Sequence, residues 1–162
     1  MGLLKPTLSL KTINDLNIDI LQKLDIKLIL LDVDNTIASY ISKDPVAGSL
    51  NWIKEVKSAG YIVYIVSNNY EKRVSAIAEK FQLPYISFAA KPMTIGFTKA
   101  RKKLKLKKHE CLVVGDQIFT DILGANIASL KSVLLEPIEL ETTLSIKIRR
   151  HFEKKLRKNF NN

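Results

Sequence analysis

Leu28-Ile29-Leu30-Leu31-Asp32-Val33-Asp34-Asn35-Thr36 is the stretch that decides the fold: an unbroken apolar run, then two carboxylates in alternate positions, then a turn. A run so short and so uniformly apolar reads as a strand buried on both faces, as in the middle of a parallel sheet. Downstream, Tyr61-Ile62-Val63-Tyr64-Ile65-Val66 repeats the pattern and again ends in polar residues, Ser67-Asn68-Asn69.

Working outward, β-rich runs alternate with segments of helical period. Strands are predicted at Lys27 to Asp32, Tyr61 to Ser67, Tyr85 to Phe88, Cys111 to Asp116 and Ser132 to Leu135. Helices fall between them at Pro45 to Ala59, Tyr70 to Phe81, Thr94 to Leu104 and Phe119 to Ser129. Val74, Ile77, Ala78 and Phe81 recur at three and four residues, as do Phe97, Ala100 and Leu104, so each set is a core stripe. The prediction is an α/β protein with a doubly wound, Rossmann-like parallel sheet of about five strands flanked by helices. With 162 residues and no linker, repeat or low-complexity tract, one domain over 1–162 is expected, with an N-terminal arm (1–23) and a basic tail (142–162) outside the core.

Composition narrows the setting. The single cysteine, Cys111, stands in an apolar run and reads as a small buried hydrophobe; it can build neither a disulfide framework nor a thiolate metal site. No stretch approaches the length of a membrane span, the N-terminus lacks the order of a signal peptide, and Pro6 stands where a myristoylation motif needs Ser or Thr. The expectation is a cytoplasmic protein. The formal charge of +10 attracts phosphate-rich partners, be they nucleic acid, anionic lipid or a polyanionic substrate, unless the excess Lys only keeps the surface soluble.

Four polar marks follow four of the strands: Asp32-Val33-Asp34-Asn35-Thr36, Ser67-Asn68-Asn69, Lys91-Pro92, and Gly115-Asp116-Gln117 with Asp121 close behind. In an open parallel sheet the carboxyl ends of the strands share the edge where ligands bind, so these groups converge. Carboxylates at i and i+2 of an extended chain point to the same side, which lets Asp32 and Asp34 serve one reacting phosphate. One can attack phosphorus while the other protonates the leaving oxygen and later deprotonates the hydrolytic water. Asp116 adds a hard oxygen ligand of the kind Mg2+ takes together with phosphate oxygens and waters. Lys91 would neutralise charge on the transferring group, and Ser67 would donate to its oxygens. Asn68 and Asn69 divide substrate contact and helix capping between them, with Asn68 assigned to the substrate phosphate. Thr36 either orients the nucleophile by local hydrogen bonding or simply serves the turn. Taken singly each mark is weak, because a D-x-D is as often a solvated turn and a lone Lys is usually surface.

The ordered set D-V-D-N-T, S-N-N, K-P and G-D-Q-x4-D resembles the haloacid dehalogenase-like phosphohydrolases. That resemblance implies Asp32 as nucleophile and Asp34 as general acid/base. It also implies Mg2+ held by Asp32, the backbone carbonyl of Asp34 and Asp116, with Asp121 supporting these ligands from behind. Dehalogenase members of the superfamily lack an acid/base at the second position, so Asp34 favours phosphate chemistry. Family cap domains are inserted after the first mark or between the second and third, yet only 32 residues separate Asp34 from Ser67 and 23 separate Ser67 from Lys91. A capless, open site follows, suited to a phosphate on something bulky. Pro6, Ile13, Leu21, Leu24 and Ile26-Lys27 ahead of the first mark add a resemblance to the YqeG-like branch of subclass IIIA, related to mitochondrial phosphatidylglycerophosphate phosphatases. This implies phosphatidylglycerophosphate as substrate.

In the tail, Leu144, Ile148, Phe152, Leu156 and Phe160 recur every four residues amid Lys147, Arg149, Arg150, Lys154, Lys155, Arg157 and Lys158. Such a basic amphipathic helix lies on an anionic membrane or packs its stripe onto the domain. The basic cluster Lys99 to Lys108 either extends that surface or is a solvated helix face. Two other functions stay open. A phosphatase of nucleotides, nucleic acid ends or phosphoprotein would also suit the charge, although aromatics at 7% are sparse for base stacking and no nucleic-acid motif is present. A non-catalytic basic adaptor could keep the fold, but it would leave Asp32, Asp34, Ser67, Lys91 and Asp116 without a purpose.

Overall fold

The computed structural model describes residues 2–139, 144–158 and 160, with the side chains at 144–146 and 149 outside the description. Six parallel strands form one sheet: β1 (Leu8–Leu10), β2 (Leu28–Leu31), β3 (Ile62–Val66), β4 (Tyr85–Ile86), β5 (Cys111–Gly115) and β6 (Lys131–Leu135), in the order β1-β6-β5-β2-β3-β4. The helices are α1 (Ile18–Lys23), α2 (Ser49–Ser58), α3 (Glu71–Phe81), α4 (Ile95–Lys103), α5 (Leu123–Ala128) and α6 (Leu144–Lys158).

The strand pleat sorts the core into two layers. Ile29, Leu31, Val63, Ile65, Leu112 and Val114 point to one face, where Leu21 of α1, Trp52 and Val56 of α2, and Ile77 and Phe81 of α3 cover them. Leu28, Leu30, Tyr64, Val66, Cys111 and Val113 point to the other, beneath Phe97 and Ala100 of α4 and Ala125 and Ala128 of α5. Both faces are covered, which is why β2 carries no polar residue; all four of its side chains are buried. The expected doubly wound parallel sheet is therefore present.

It has one strand more than expected, because the N-terminal residues are not outside the core. Leu8, Ser9 and Leu10 pair with Val133, Leu134 and Leu135 at the sheet edge, and Ile13, Leu16 and Leu21 are fully buried. The Trp52 indole N–H donates to the Leu16 carbonyl at 2.6 Å and ties this segment to α2. Three-residue β1 is too short to show a period in sequence. The predicted helix at Pro45 begins only at Ser49, since Ala38 bridges Pro45 and the Val46 N–H donates to the Ile37 carbonyl at 3.0 Å, closing the loop after β2 before the helix can start. Gly48 makes the turn at φ +83°, where any Cβ would strike the Asn14 side chain.

Strand order fixes the site. From central β2 the chain winds outward through β3 to β4, then crosses back to lay β5 and β6 on the opposite side. The order reverses between β2 and β5, and a crevice opens at the carboxyl ends of strands flanking such a reversal. Leu31 lies level with Val114, so Asp32 and Asp116 emerge side by side; the Asp32 N–H donates to the Val114 carbonyl at 2.8 Å. Among the described residues no helix is long and apolar enough to cross a membrane.

Candidate active site

Asp32, Asp116 and Asp121 each place a carboxylate oxygen within 4.8 Å of the others. Lys91 closes the group, its Nζ donating to Asp32 Oδ1 and to Asp121 Oδ1, each at 2.6 Å. All four side chains are buried. Burial raises the Asp32 pKa well above the ordinary carboxylate value; Lys91 opposes the shift, while crowding by Asp121 and Asp116 reinforces it. Burial alone would lower the Lys91 pKa, but Asp121 and Asp32 outweigh it and hold the ammonium above its ordinary value. Lys91 is shared between Asp32 and Asp121, and the Arg150 guanidinium pairs with Asp116, so the three carboxylates together present hard oxygen donors that fit a divalent cation of the Mg2+ type.

Local folding explains each placement. Gly115 ends β5 without a side chain because a Cβ there would collide with the Asp121 carboxylate. A single turn of π-helix, Ile118–Ile122, follows and swings Asp121 back over the strand end, where its Oδ2 accepts from the Gln117 N–H at 3.1 Å. Such turns are rare and concentrate at functional sites. The expectation of an uninterrupted helix from Phe119 differs here: α5 starts only at Leu123. Asp121, expected behind the metal ligands, stands in the carboxylate cluster itself.

Asn68 braces Lys91. Its Oδ1 accepts from the Lys91 N–H at 2.7 Å and its Nδ2 donates to the Lys91 carbonyl at 2.9 Å, so its amide group is engaged with backbone. The Ser67 hydroxyl is buried at the end of β3 and accepts from the Asn69 N–H at 3.2 Å, leaving its own proton to donate. Neither asparagine caps α3: Tyr70 occupies the cap position with no side-chain hydrogen bond, and Asn69 instead donates to Asp34 Oδ2 at 2.5 Å. Thr36 Oγ1 is buried with no hydrogen-bond partner among the described residues, while its N–H donates to the Val33 carbonyl at 3.1 Å. Its observed role is in the turn.

Asp34 lies apart from the carboxylate cluster. Arg73 of α3 takes it in a fork, Nε reaching Oδ1 at 3.1 Å and Nη2 the same oxygen, while Nη2 also donates to the Tyr40 carbonyl at 2.8 Å. The guanidinium sits 5.0 Å over the Tyr40 ring. Sequence reading missed Arg73. The available signal was a charged residue one position before the core residue Val74 on an otherwise apolar helix face, which is weak.

The tail helix also differs from expectation. Ile148 and Phe152 are exposed, whereas Leu156 and Phe160 pack against Ile118, Ile122 and Leu134. Spacing by four advances about 40° round a helix at every step, so one stripe cannot keep to one face over this length. Arg150 and Arg157 turn inward to Asp116, while Lys147, Lys154, Lys155 and Lys158 stay exposed. Thr142, the expected start of the tail, and the side chains of Leu144 and Arg149 lie outside the described residues.

Residues 13–128 match the family model for haloacid dehalogenase-like hydrolases. The probable phosphatase YqeG of Bacillus subtilis is 34% identical over 136 residues, covering 84% of this chain and 79% of that protein. Among solved structures, an uncharacterized protein from Listeria monocytogenes superposes with a TM-score of 0.57 at 17% identity, covering 74% of this chain and 87% of that one. The 3-deoxy-D-manno-octulosonate 8-phosphate phosphatase of Moraxella catarrhalis, in complex with magnesium, phosphate and sugar, superposes at 0.51 with 23% identity, covering 62% of this chain and 63% of that one. At these identities the structural likenesses establish the shared fold.

Proposed function

The chain belongs to the haloacid dehalogenase-like hydrolases and is a phosphatase of that family, and we propose that it is a Mg2+-dependent phosphomonoesterase working through an aspartyl-phosphate on Asp32. The observation carrying this reading is the buried Asp32–Lys91–Asp121 chain beside Asp116 at the sheet's reversal point. Asp32, Asp116 and either Asp121 or the Asp34 carbonyl would hold the cation, which would draw charge from the phosphate and let an anionic nucleophile approach it.

An Asp32 oxygen forms a bond to phosphorus as the ester P–O bond breaks, and the leaving oxygen takes a proton from Asp34. Water then gives a proton to Asp34 and attacks phosphorus, and the bond to Asp32 breaks to free inorganic phosphate. Lys91 balances charge at the nucleophile, Asn68 fixes the Lys91 backbone, and Ser67 donates to a phosphate oxygen. Asp34 performs its part only after loosening from Arg73, so a substrate that engages the guanidinium is favoured.

The substrate we infer is a phosphate on a bulky amphiphile, with phosphatidylglycerophosphate the candidate. The interval from β2 to β3 holds only a loop and α2, and that from β3 to β4 only α3, so neither carries a cap. Exposed Tyr70, Phe88 and Met93 stand in the loops bearing Asn69 and Lys91, and exposed Ile148 and Phe152 stand among the lysines of α6. Apolar side chains ringed by cations suit peripheral contact with an anionic membrane. The net charge of +10 would equally serve a nucleotide, a nucleic acid end or a phosphoprotein.

Phosphate release tests this, from phosphatidylglycerophosphate in anionic vesicles, from 3'- and 5'-phosphorylated oligonucleotides and from an aryl phosphate, with Mg2+ or chelator. Lipid turnover should lead, need Mg2+ and fall more than about a thousandfold in Asp32→Asn. Faster oligonucleotide turnover would replace the lipid, and silence on every substrate would make the chain a non-catalytic adaptor.

A further inference from the structure

We propose that α6 is a wall of the metal site and that Arg150 is a positioning residue, orienting the Asp116 carboxylate for the divalent cation. The inference rests on the Mg2+-dependent reading above. Arg150 spans Asp116 with one fork: Nη1 donates to the backbone carbonyl at 2.9 Å and Nη2 to the carboxylate Oδ2. Arg157, two turns on, donates to the same carbonyl and to that of Leu135 at 2.9 Å. Two guanidinium groups from one helix thus meet at a single β5-end residue whose side chain is wholly buried.

Glu153 secures the helix that carries them. It is 1% exposed, and its Oε1 accepts from the Ile118 N–H at 2.7 Å and the Phe119 N–H at 3.3 Å. Those amides open the π-helical turn that brings Asp121 to the site. Glu153 Oε2 accepts from Arg150 Nη1 at 3.0 Å, so the nitrogen that reaches the Asp116 carbonyl is itself held by Glu153. The carboxylates at both ends of the 116–121 segment therefore depend on α6. Mg2+ needs one oxygen from a carboxylate and demands near-ideal octahedral geometry, so a group that locks the carboxylate plane through the other oxygen favours binding.

The sign of the effect separates positioning from simple electrostatics. Deleting a positive charge beside a cation site should tighten Mg2+ binding if charge alone matters, and loosen it if Arg150 orients the ligand. Calorimetric titration of the full chain with MgCl2, backed by circular dichroism to confirm folding, should show Mg2+ bound about tenfold more weakly by Arg150→Gln than by wild type. Lys154→Gln removes the same charge from an exposed position of α6 and should bind as wild type does. Turnover of an aryl phosphate should need more Mg2+ in Arg150→Gln yet approach the wild-type kcat at saturation. Equal or tighter Mg2+ binding by Arg150→Gln would overturn the inference. If that variant fails to fold, Arg150→Lys decides: an ammonium keeps the charge but lacks the planar two-nitrogen fork that fixes the carboxylate plane, so severalfold weaker binding is expected and unchanged affinity overturns it. A wild-type protein that binds no Mg2+ would remove the metal-dependent reading itself, an outcome distinct from the other two.

Discussion

The two ends of the same central strands carry opposite electrostatics. At the amino ends of β2 and β5, Lys27 meets Glu110 at 2.6 Å with its own side chain 59% exposed, and His109 lies 3.7 Å from Asp25 with both side chains exposed. At the carboxyl ends of those strands, Asp32, Asp34, Asp116 and Asp121 are buried together with Lys91 and Arg73. Each amino-edge pair keeps at least one charged end open to water, Lys27 over buried Glu110 and Asp25 beside His109, so screening limits what either gives to stability. Charge at the carboxyl edge is held out of water, where an unmatched group is costly, and it is arranged around an excess of acid. Sheet register alone cannot produce that difference, since Leu28 pairs with Cys111 as Leu31 pairs with Val114. Loop residues delivered after the strands do.

The contrast breaks most readily at Arg73. Replacing it by Met leaves Asp34 buried with the Asn69 amide as its remaining side-chain partner, and loss of about 3–5 kcal/mol of stability in urea unfolding is expected. The double change Asp34→Leu with Arg73→Met should recover most of that loss, because no charge then stays buried alone. Lys27→Met at the opposite edge should hardly move the midpoint. Equal losses at both edges would mean that burial does not set the difference.

How far all this was legible in sequence follows from where each contact lies along the chain. Asp32, Ser67, Lys91 and Asp116 stood out as candidates because each comes just past an apolar run, and Asp34 because it alternates with Asp32, so strand position and candidate position are one signal. The alternation of runs likewise yielded the sheet. Arg73, Arg150 and Glu153 sit within helices whose polar residues look alike before packing chooses which turn inward. The tail shows this best: its cations were expected at a membrane or in solvent, yet Arg150 and Arg157 face Asp116 while the lysines beside them stay exposed. β1 was illegible for another reason, since three residues at an edge gain their order from β6 and not from a pattern of their own.

The acid excess gives the next test. If Asp32, Asp116 and Asp121 accept Mg2+, the ion should stabilise the fold by about 2.7 kcal/mol at a hundred times its Kd. A rise of several degrees in melting temperature over the chelator-treated protein follows for a domain of this size. Asp116→Asn should lose most of that rise. An equal rise with Na+ at matched ionic strength would assign the stabilisation to screening.

Cys111 sharpens the amino edge with the smallest effect. It opens β5 fully buried, its thiol donates to the Lys107 carbonyl at 3.3 Å, and burial pushes its pKa from 9.0 up to about 11. The folded state therefore holds the thiol proton more tightly than the unfolded chain does. The stabilisation is complete below pH about 9 and fades as pH climbs through about 11. A thiol-specific disulfide reagent should leave Cys111 untouched for minutes at pH 8 and label it at once in denaturant. The stability of wild type relative to Cys111→Val should decline between pH 9 and 11, whereas a gap independent of pH over that range would show that the thiol titrates alike in both states. Since β5 runs from this inert thiol to Gly115, just before Asp116, that result would also show how little of the strand's reactivity belongs to its buried length and how much to the loop that follows.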